Sequence, residues 1–284
     1  METREYVTLL HGAWSKWDRI KRLVYRELGV RNTEELIRRF VDVESCRPLD
    51  VETLASALRK FVEPADPGAF ATPFFDPRYP CELLRYPAYG DVLYPPLMLY
   101  WSREFNANER PAVAVVGTRR CSSWGRKTAR ELGRALASRG YAVVTGLAEC
   151  VDAEAARGAL DAGGIVVGVR PWLRPLELPR ESAPLAKRVV IVSERLEKPR
   201  GDVRRLYFLR NRIIAGMAKA VVVVEAREGG GTMHQIELGL RRGKPVYIMK
   251  PASEDYLPAY KAFLEKGAEE VEDIAQLLRY VQRA

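Results

Sequence analysis

The residues from Ala112 to Asp152 constrain this chain more than any others, because they read as strand, glycine turn, helix, strand and glycine turn in unbroken succession. Ala112-Val113-Ala114-Val115-Val116 is an apolar run of strand length. It is too short for an average helix, and its valines favour a strand buried on both faces. The run ends at Gly117-Thr118-Arg119-Arg120. After Cys121-Ser122-Ser123-Trp124-Gly125, apolar residues return at Ala129, Leu132 and Leu136, and Gly140 stands where a helix C-cap glycine would. Tyr141 to Thr145 repeats the strand and Gly146 repeats the turn. The result is a βαβ unit with hydroxyl and arginine groups at the carboxyl ends of its strands, where open parallel sheets bind ligands.

The same alternation continues downstream. Ile165 to Val169, Val189 to Val192, Ala220 to Val224 and Pro245 to Met249 read as further buried strands with helical stretches between most of them, which makes the fold class α/β. Tyr256 to Lys266 and Val271 to Val281 read as two closing helices, with no winged-helix pattern after them. Upstream, Tyr6 to Phe61 is helical. Ile20, Leu23, Val24 and Leu28 share a face before Gly29, Asn32-Thr33-Glu34-Glu35 supplies a capping residue and first-turn acids, and Asp50 starts another helix. Pro64, Pro67, Pro73, Pro77 and Pro80 interrupt the region that follows. The expected organisation is a small helical domain over residues 1–63, a Pro-rich extended wrap over 64–110, and an α/β domain over 111–284.

A chain of 284 residues with 47% hydrophobic content can bury one large core and a small one. Its formal charge of +9 suits a polyanionic partner, although a basic surface also serves solubility. No stretch approaches about eighteen consecutive apolar residues, and Met1-Glu2-Thr3-Arg4-Glu5 has no leader pattern, so a soluble, cytoplasmic protein without a membrane partner is expected. Cys46, Cys81, Cys121 and Cys150 form no CxxC pair and have only His11 and His234 to assist them, which argues against a metal site. Asn and Gln are scarce beside Arg, Glu and Pro, a bias seen in thermophiles. Cys121 and Cys150 follow successive strand ends and can approach each other, but intracellular thiols normally stay reduced, and two reduced residues in turns is the favoured reading.

Gly117-Thr118-Arg119 offers backbone N–H groups, a hydroxyl and a guanidinium near a helix N-terminus, a combination that suits phosphate. On a helical wheel of residues 204 to 217, Leu206, Leu209, Ile213, Ile214 and Met217 share one arc, while Arg204, Arg205, Tyr207, Phe208, Asn211 and Arg212 share the other. Such a face can stack bases beside guanidinium groups that meet phosphates. Arg210 falls inside the apolar arc and calls for a buried acid, with Glu194 and Glu225 as candidates. Gly229-Gly230-Gly231-Thr232 is a further anion site between a strand and a helix.

Several of these segments resemble one family. Val116 to Gly125 resembles the VGSRxxSxYG stretch of the DprA/Smf family of DNA-processing proteins, Thr145-Gly146-Leu147-Ala148 with Asp152 resembles its SGLArGID, and Ser193-Glu194 its SE dipeptide. Leu209 to Gly216 resembles its RNRIIAG core, and Gly231-Thr232 followed by Glu237-Leu238-Gly239-Leu240 its SGSLITAxLAL segment. Asp76 to Pro80 and Pro95 to Tyr100 resemble family elements just upstream of the first strand.

The resemblance implies an extended Rossmann-like domain, a mostly parallel sheet with helices on both faces behind the small N-terminal helical domain. It implies a non-enzymatic protein without cofactor that binds single-stranded DNA, commonly as a homodimer, and serves recombination or transformation with a RecA-type recombinase. The expected site, from the wheel and the resemblance together, joins Gly117, Thr118, Arg119, Ser122, Thr145 and Gly146 to Arg204, Tyr207, Phe208, Arg210, Asn211 and Arg212 and to Gly230, Gly231 and Thr232, with Asp152, Glu194 and Glu225 as structural acids. Glu149 and Cys150 depart from the family pattern, and a carboxylate beside a phosphate groove repels the strand. The opposing reading is a nucleotide sensor or a LOG-like phosphoribohydrolase, whose PGGxGTxxE motif Gly229 to Thr232 resembles. Gln235 stands where that enzyme's glutamate should be, and an amide cannot exchange the proton.

Overall fold

The computed structural model describes residues 3–85, 95–228, 231–241 and 243–283, without the side chains of 3, 233, 235 and 236. Helices α1 (Thr3–Trp14), α2 (Trp17–Leu28), α3 (Thr33–Phe40) and α4 (Val51–Arg59) come first, with a hairpin of β1 (Val41–Asp42) and β2 (Arg47–Pro48) between the last two. Local chemistry sets their ends. Gly29 takes the left-handed conformation after α2 (φ 66°), the Asn32 side chain accepts from Glu35 N, and the Asp50 side chain accepts from Thr53 N. Leu9, Leu10, Val24, Leu36, Phe40, Leu54 and Leu58 are buried in the core of this unit.

The rest is organised on one nine-stranded sheet. In chain order its elements are β3 (Phe70–Pro73), α5 (Cys81–Arg85), β4 (Met98–Trp101), β5 (Ala112–Val116), α6 (Ser123–Ser138), β6 (Ala142–Thr145), α7 (Val151–Asp161), β7 (Val166–Val169) and β8 (Val190–Ser193). There follow α8 (Arg204–Met217), β9 (Ala220–Val223), α9 (Gly231–Arg241), β10 (Val246–Met249), α10 (Leu257–Glu265), β11 (Glu269–Val271) and α11 (Ile274–Arg283). The strand order is β11-β10-β9-β5-β6-β7-β8-β4-β3. The first seven in that order are parallel; β4 joins β8 antiparallel, and β3 joins β4 antiparallel. Pairs α6 with α7 and α8 with α9 pack over the central strands, on opposite faces. Every residue of β5 through β10 is buried, as their unbroken apolar runs require.

Two segments differ from the sequence reading. The Pro-rich residues 64–110 are more than a wrap, because β3 and β4 within them extend the sheet, with Trp101 Nε1 donating to Thr72 Oγ1 at 2.8 Å. Residues 269–271 form an edge strand, a run too short to show periodicity, so the last helix starts at Ile274 rather than at Val271. The helical unit docks on this new edge: α1 packs on β3 and β4, His11 Nδ1 shares a 2.6 Å hydrogen bond with the Tyr100 hydroxyl, and Trp14 Nε1 donates to the Glu194 carbonyl at 2.9 Å.

Glycine lets α6 and α7 approach to backbone contact. A Cβ on Gly133 would lie 2.0 Å from the Ala155 carbonyl oxygen, and one on Gly158 would lie 1.9 Å from that of Arg130. Neither carbonyl can swing aside as a side chain would. Gly133→Ala should therefore cost about 1–3 kcal/mol, the usual cost of overpacking, read as a lowered melting temperature. An unchanged melting temperature would mean the helices can separate freely.

Candidate nucleic-acid interface

Strand order reverses between β5 and β9, so the crevice of this sheet opens beyond their carboxyl ends. Glu225, just after β9, occupies its base and is 1% exposed. Its carboxylate accepts from Ser122 N (2.9 Å) and from the Ser122 hydroxyl (2.6 Å), and its carbonyl accepts from Thr118 N (2.8 Å). Ser122 in turn caps α6 by accepting from Gly125 N at 3.0 Å. Gly117 and Gly125 are small because Glu225 presses on them: Cβ atoms there would lie 2.8 Å from its carbonyl oxygen and 2.3 Å from its Oε2. The expectation that Ser122 and this helix N-terminus await a phosphate is thus corrected, since an internal carboxylate already holds them. Thr118 accepts from Arg120 N, and Arg119 stands exposed at the rim.

The turn after β6 is closed in the same manner. The Asp152 carboxylate is buried and accepts from Gly146 N (3.0 Å) and Ala148 N (3.3 Å), and the buried Thr145 hydroxyl hydrogen-bonds it as well. Cys150 N donates to Glu181 Oε2 at 3.0 Å. Cys121 and Cys150 are joined as a disulfide that ties this turn to the one after β5, against the reading of both as reduced. Cys46 and Cys81 form a second disulfide, from the helical unit to α5, which no spacing in the chain had signalled. Among the described residues no group of three or more His, Cys, Asp or Glu could hold a metal.

Helix α8 requires the largest correction. Arg204, Arg205 and Phe208 are exposed, as the wheel expects, with Phe208 at 50% and edge-on to His234 at 5.7 Å. Asn211 and Arg212 are buried, Arg212 to 3%. Every residue from Arg210 to Met217 is buried, because the sheet, α9 and α5 enclose this half of the helix. A two-sided wheel cannot describe such a segment. Arg212 forms a two-pronged pair with Glu194, Nη1 to Oε1 at 2.9 Å and Nη2 to Oε2, and also donates to the Leu209 carbonyl. Glu194 is therefore the partner of Arg212 and Glu225 that of Ser122. The acid near Arg210 is Asp152.

Arg210 packs against Gly146 so closely that a Cβ there would lie 2.0 Å from its Nη1. It is 5% exposed; Nη1 donates to the Val169 carbonyl at 2.9 Å, while Nε has no partner among the described residues. Beside it Arg170, also buried, donates to the carbonyls of Gly146 (3.0 Å) and Glu177 (2.7 Å). The Arg170 and Arg210 guanidinium carbons lie 5.8 and 6.0 Å from the centre of the Tyr207 ring, Tyr207 meets Trp172 edge-on at 5.9 Å, and Lys198 Nζ lies 5.1 Å over Trp172.

Burial first, and then the repulsion of Arg170, pushes the Arg210 pKa down, with Arg119 adding to the repulsion. Burial lowers that of Arg170 and raises that of Asp152, against the pull of Arg210. Arg119, Arg170 and Arg210 thus repel one another, and Asp152, the carboxylate that pulls on Arg170 and Arg210, is already engaged by backbone amides. Guanidinium groups under such a penalty draw in an anion rather than lose a proton.

Sequence reasoning missed Arg170 and Trp172. The signal existed, because Arg170 follows β7 directly, as Gly117 to Arg119 follow β5, and strand carboxyl ends are where such sheets bind. Gly231 is exposed at the start of α9 and Thr232 is buried, whereas Gly230 and the Gln235 side chain lie outside the described residues.

Fold and site together define a Rossmann-like α/β protein with a cationic, aromatic-lined crevice. Residues 71–282 match the family model described as DNA recombination-mediator protein A, and the chain belongs to that family. A protein named Smf from Synechocystis sp. is 31% identical over 218 residues, 74% of this chain and 53% of that protein, so the chain spans about half of that relative's length. The X-ray structure of DNA processing protein A from Streptococcus pneumoniae superposes with a TM-score of 0.64 at 21% identity, covering 98% of this chain and 93% of that one. That of DNA processing protein A from Helicobacter pylori, solved for its single-stranded DNA binding mode, gives 0.61 at 22% identity over 68% and 91%. Both likenesses establish the fold.

Proposed function

We propose that this chain binds single-stranded DNA without catalysing a reaction on it, as a DNA-processing protein of recombination or DNA uptake. The observation that carries the reading is the buried Arg210, whose Nε has no partner among the described residues, beside Arg170 and the exposed Arg119. A phosphodiester relieves the repulsion among the three, and Phe208 and Tyr207 offer rings on which bases stack. The Helicobacter pylori relative, whose structure was solved for its single-stranded DNA binding, supports this choice of polyanion. The interface we assign is Arg119, Arg170, Arg204, Tyr207, Phe208 and Arg210, with Gly146 keeping room for Arg210 and Arg212 acting in the core. A symmetric dimer that joins two crevices, and a RecA-type recombinase as the recipient of the strand, extend the proposal. A monomer in sedimentation with bound oligonucleotide would remove the dimer.

Fluorescence titration with a labelled oligonucleotide tests the reading. Single strands should bind more tightly than duplex of equal charge, whose base faces are occupied. Arg119→Ala should flatten the salt dependence by about 0.7 unit, and Phe208→Ala should weaken binding by about 1–3 kcal/mol with the slope nearly unchanged. Equal affinity for both strand forms would reduce the interaction to generic charge. Release of free base from nucleoside monophosphates would instead establish the hydrolase.

A further inference from the structure

A second cleft, of about 770 Å³, lies between α2 and α8, on the side of α8 that carries Arg205, Leu206 and Leu209 and away from Tyr207 and Arg210. Its charge is mainly positive, six basic side chains against the carboxylates of Asp18, Glu194 and Asp202. Of the basic residues lining it, Arg212 is held by Glu194 and Lys21 lies 3.7 Å from Asp18, whereas Lys16, Arg19, Arg195 and Arg205 are exposed and none is within salt-bridge distance of a carboxylate among the described residues. Two indoles form part of the wall. Trp14 and Trp17 have ring centres 6.3 Å apart; the Trp14 N–H donates to the Glu194 carbonyl, but the Trp17 N–H has no partner among the described residues although Trp17 is 4% exposed. A buried donor left unpaired costs free energy that an oxygen supplied from the cleft recovers. Four cations without a salt bridge among the described residues, around an aromatic wall with a spare donor, match a unit that is flat and anionic together, a nucleotide.

We infer that this cleft is a second station for nucleic acid, holding a segment of the same single strand whose other part occupies the crevice. The inference rests on the function proposed above. Helix α8 joins the two places, and its exposed first turn, Arg204 and Arg205, is where a strand passes from one to the other. The helical unit then acts as a clamp that completes the binding track, and affinity should depend on length as linked sites do.

The test compares oligothymidylates of about six and about twenty nucleotides, lengths that bracket one and two stations. Arg19→Ala combined with Arg195→Ala should leave the short oligonucleotide bound as by wild type and weaken the long one at least about tenfold. The salt slope for the long one should fall by about 1.4 units, two single-strand phosphate contacts. Trp17→Phe, which keeps a ring and removes the donor, should weaken only the long oligonucleotide, by about fivefold. Wild-type affinity and slope of the double variant at both lengths would overturn the proposal, as would equal loss at both lengths, which would mark a diffuse charge effect. Thymidine monophosphate quenching tryptophan in wild type, with no gain from strand length, would overturn it in favour of a free nucleotide. Arg119→Ala run alongside separates the two readings, since wild-type binding of the short oligonucleotide by that variant indicts the crevice, not the cleft.

Discussion

Arg212→Ala should destabilise the protein by about 3–5 kcal/mol, the range for removing one partner of a buried ion pair. The pair is well enclosed, with side-chain exposures of 4% for Arg212 and 11% for Glu194, and the truncation leaves the Glu194 carboxylate without its ion-pair partner. Burial pushes the Glu194 pKa up, but the Arg212 guanidinium outweighs it and holds the group below the ordinary carboxylate range. Its stability contribution is therefore full above the unfolded pKa, about 4.3, and is lost as pH falls through the lower folded value. Wild type and variant should differ most in melting temperature near neutral pH and converge in acid. Arg212→Met with Glu194→Gln should recover part of the loss, since no unpaired charge is then buried. A variant that melts like wild type and loses DNA affinity with a flatter salt slope would return Arg212 to the binding face.

The second large effect concerns the cysteines. Cys121 and Cys150 close a loop with a sequence separation of 29, and cross-linking a loop of that length stabilises by about 3–4 kcal/mol in the chain-entropy account. Cys121→Ser with Cys150→Ser should lower the melting temperature accordingly. The crevice should feel the change too, because the bond joins the turn that carries Arg119 to the one that Asp152 organises. Thiol titration of the unfolded, unreduced protein should find no free thiol, as all four cysteines are paired. Four reactive thiols would sink the prediction.

The strands between residues 112 and 249 were legible because each is an apolar run bounded by glycine or charge, and the observed limits fall within a residue or so of the runs. The outer strands were not. Phe70–Pro73 and Met98–Trp101 are antiparallel and lie among prolines, and Glu269–Val271 is three residues long. The site was half legible. Arg119 and Phe208 stand where pattern alone set them, and Asp152 fills the structural role its spacing suggested. Asn211 and Arg212 were misplaced because burial of α8 depends on the sheet, α9 and α5 closing round it, a tertiary fact with no local signature. Arg170 shows the opposite failure, a position rule available and left unapplied.

Glu225 has one more consequence. Rossmann-like sheets ordinarily greet a nucleotide's phosphates with the bare end of the first crossover helix. Here that welcome is permanently taken by a side chain of the protein itself, bonded to Ser122 through both carboxylate oxygens and sealed from solvent. Carrying its own anion closes that helix end to a phosphate and leaves the arginines beside it as the cationic part of the crevice.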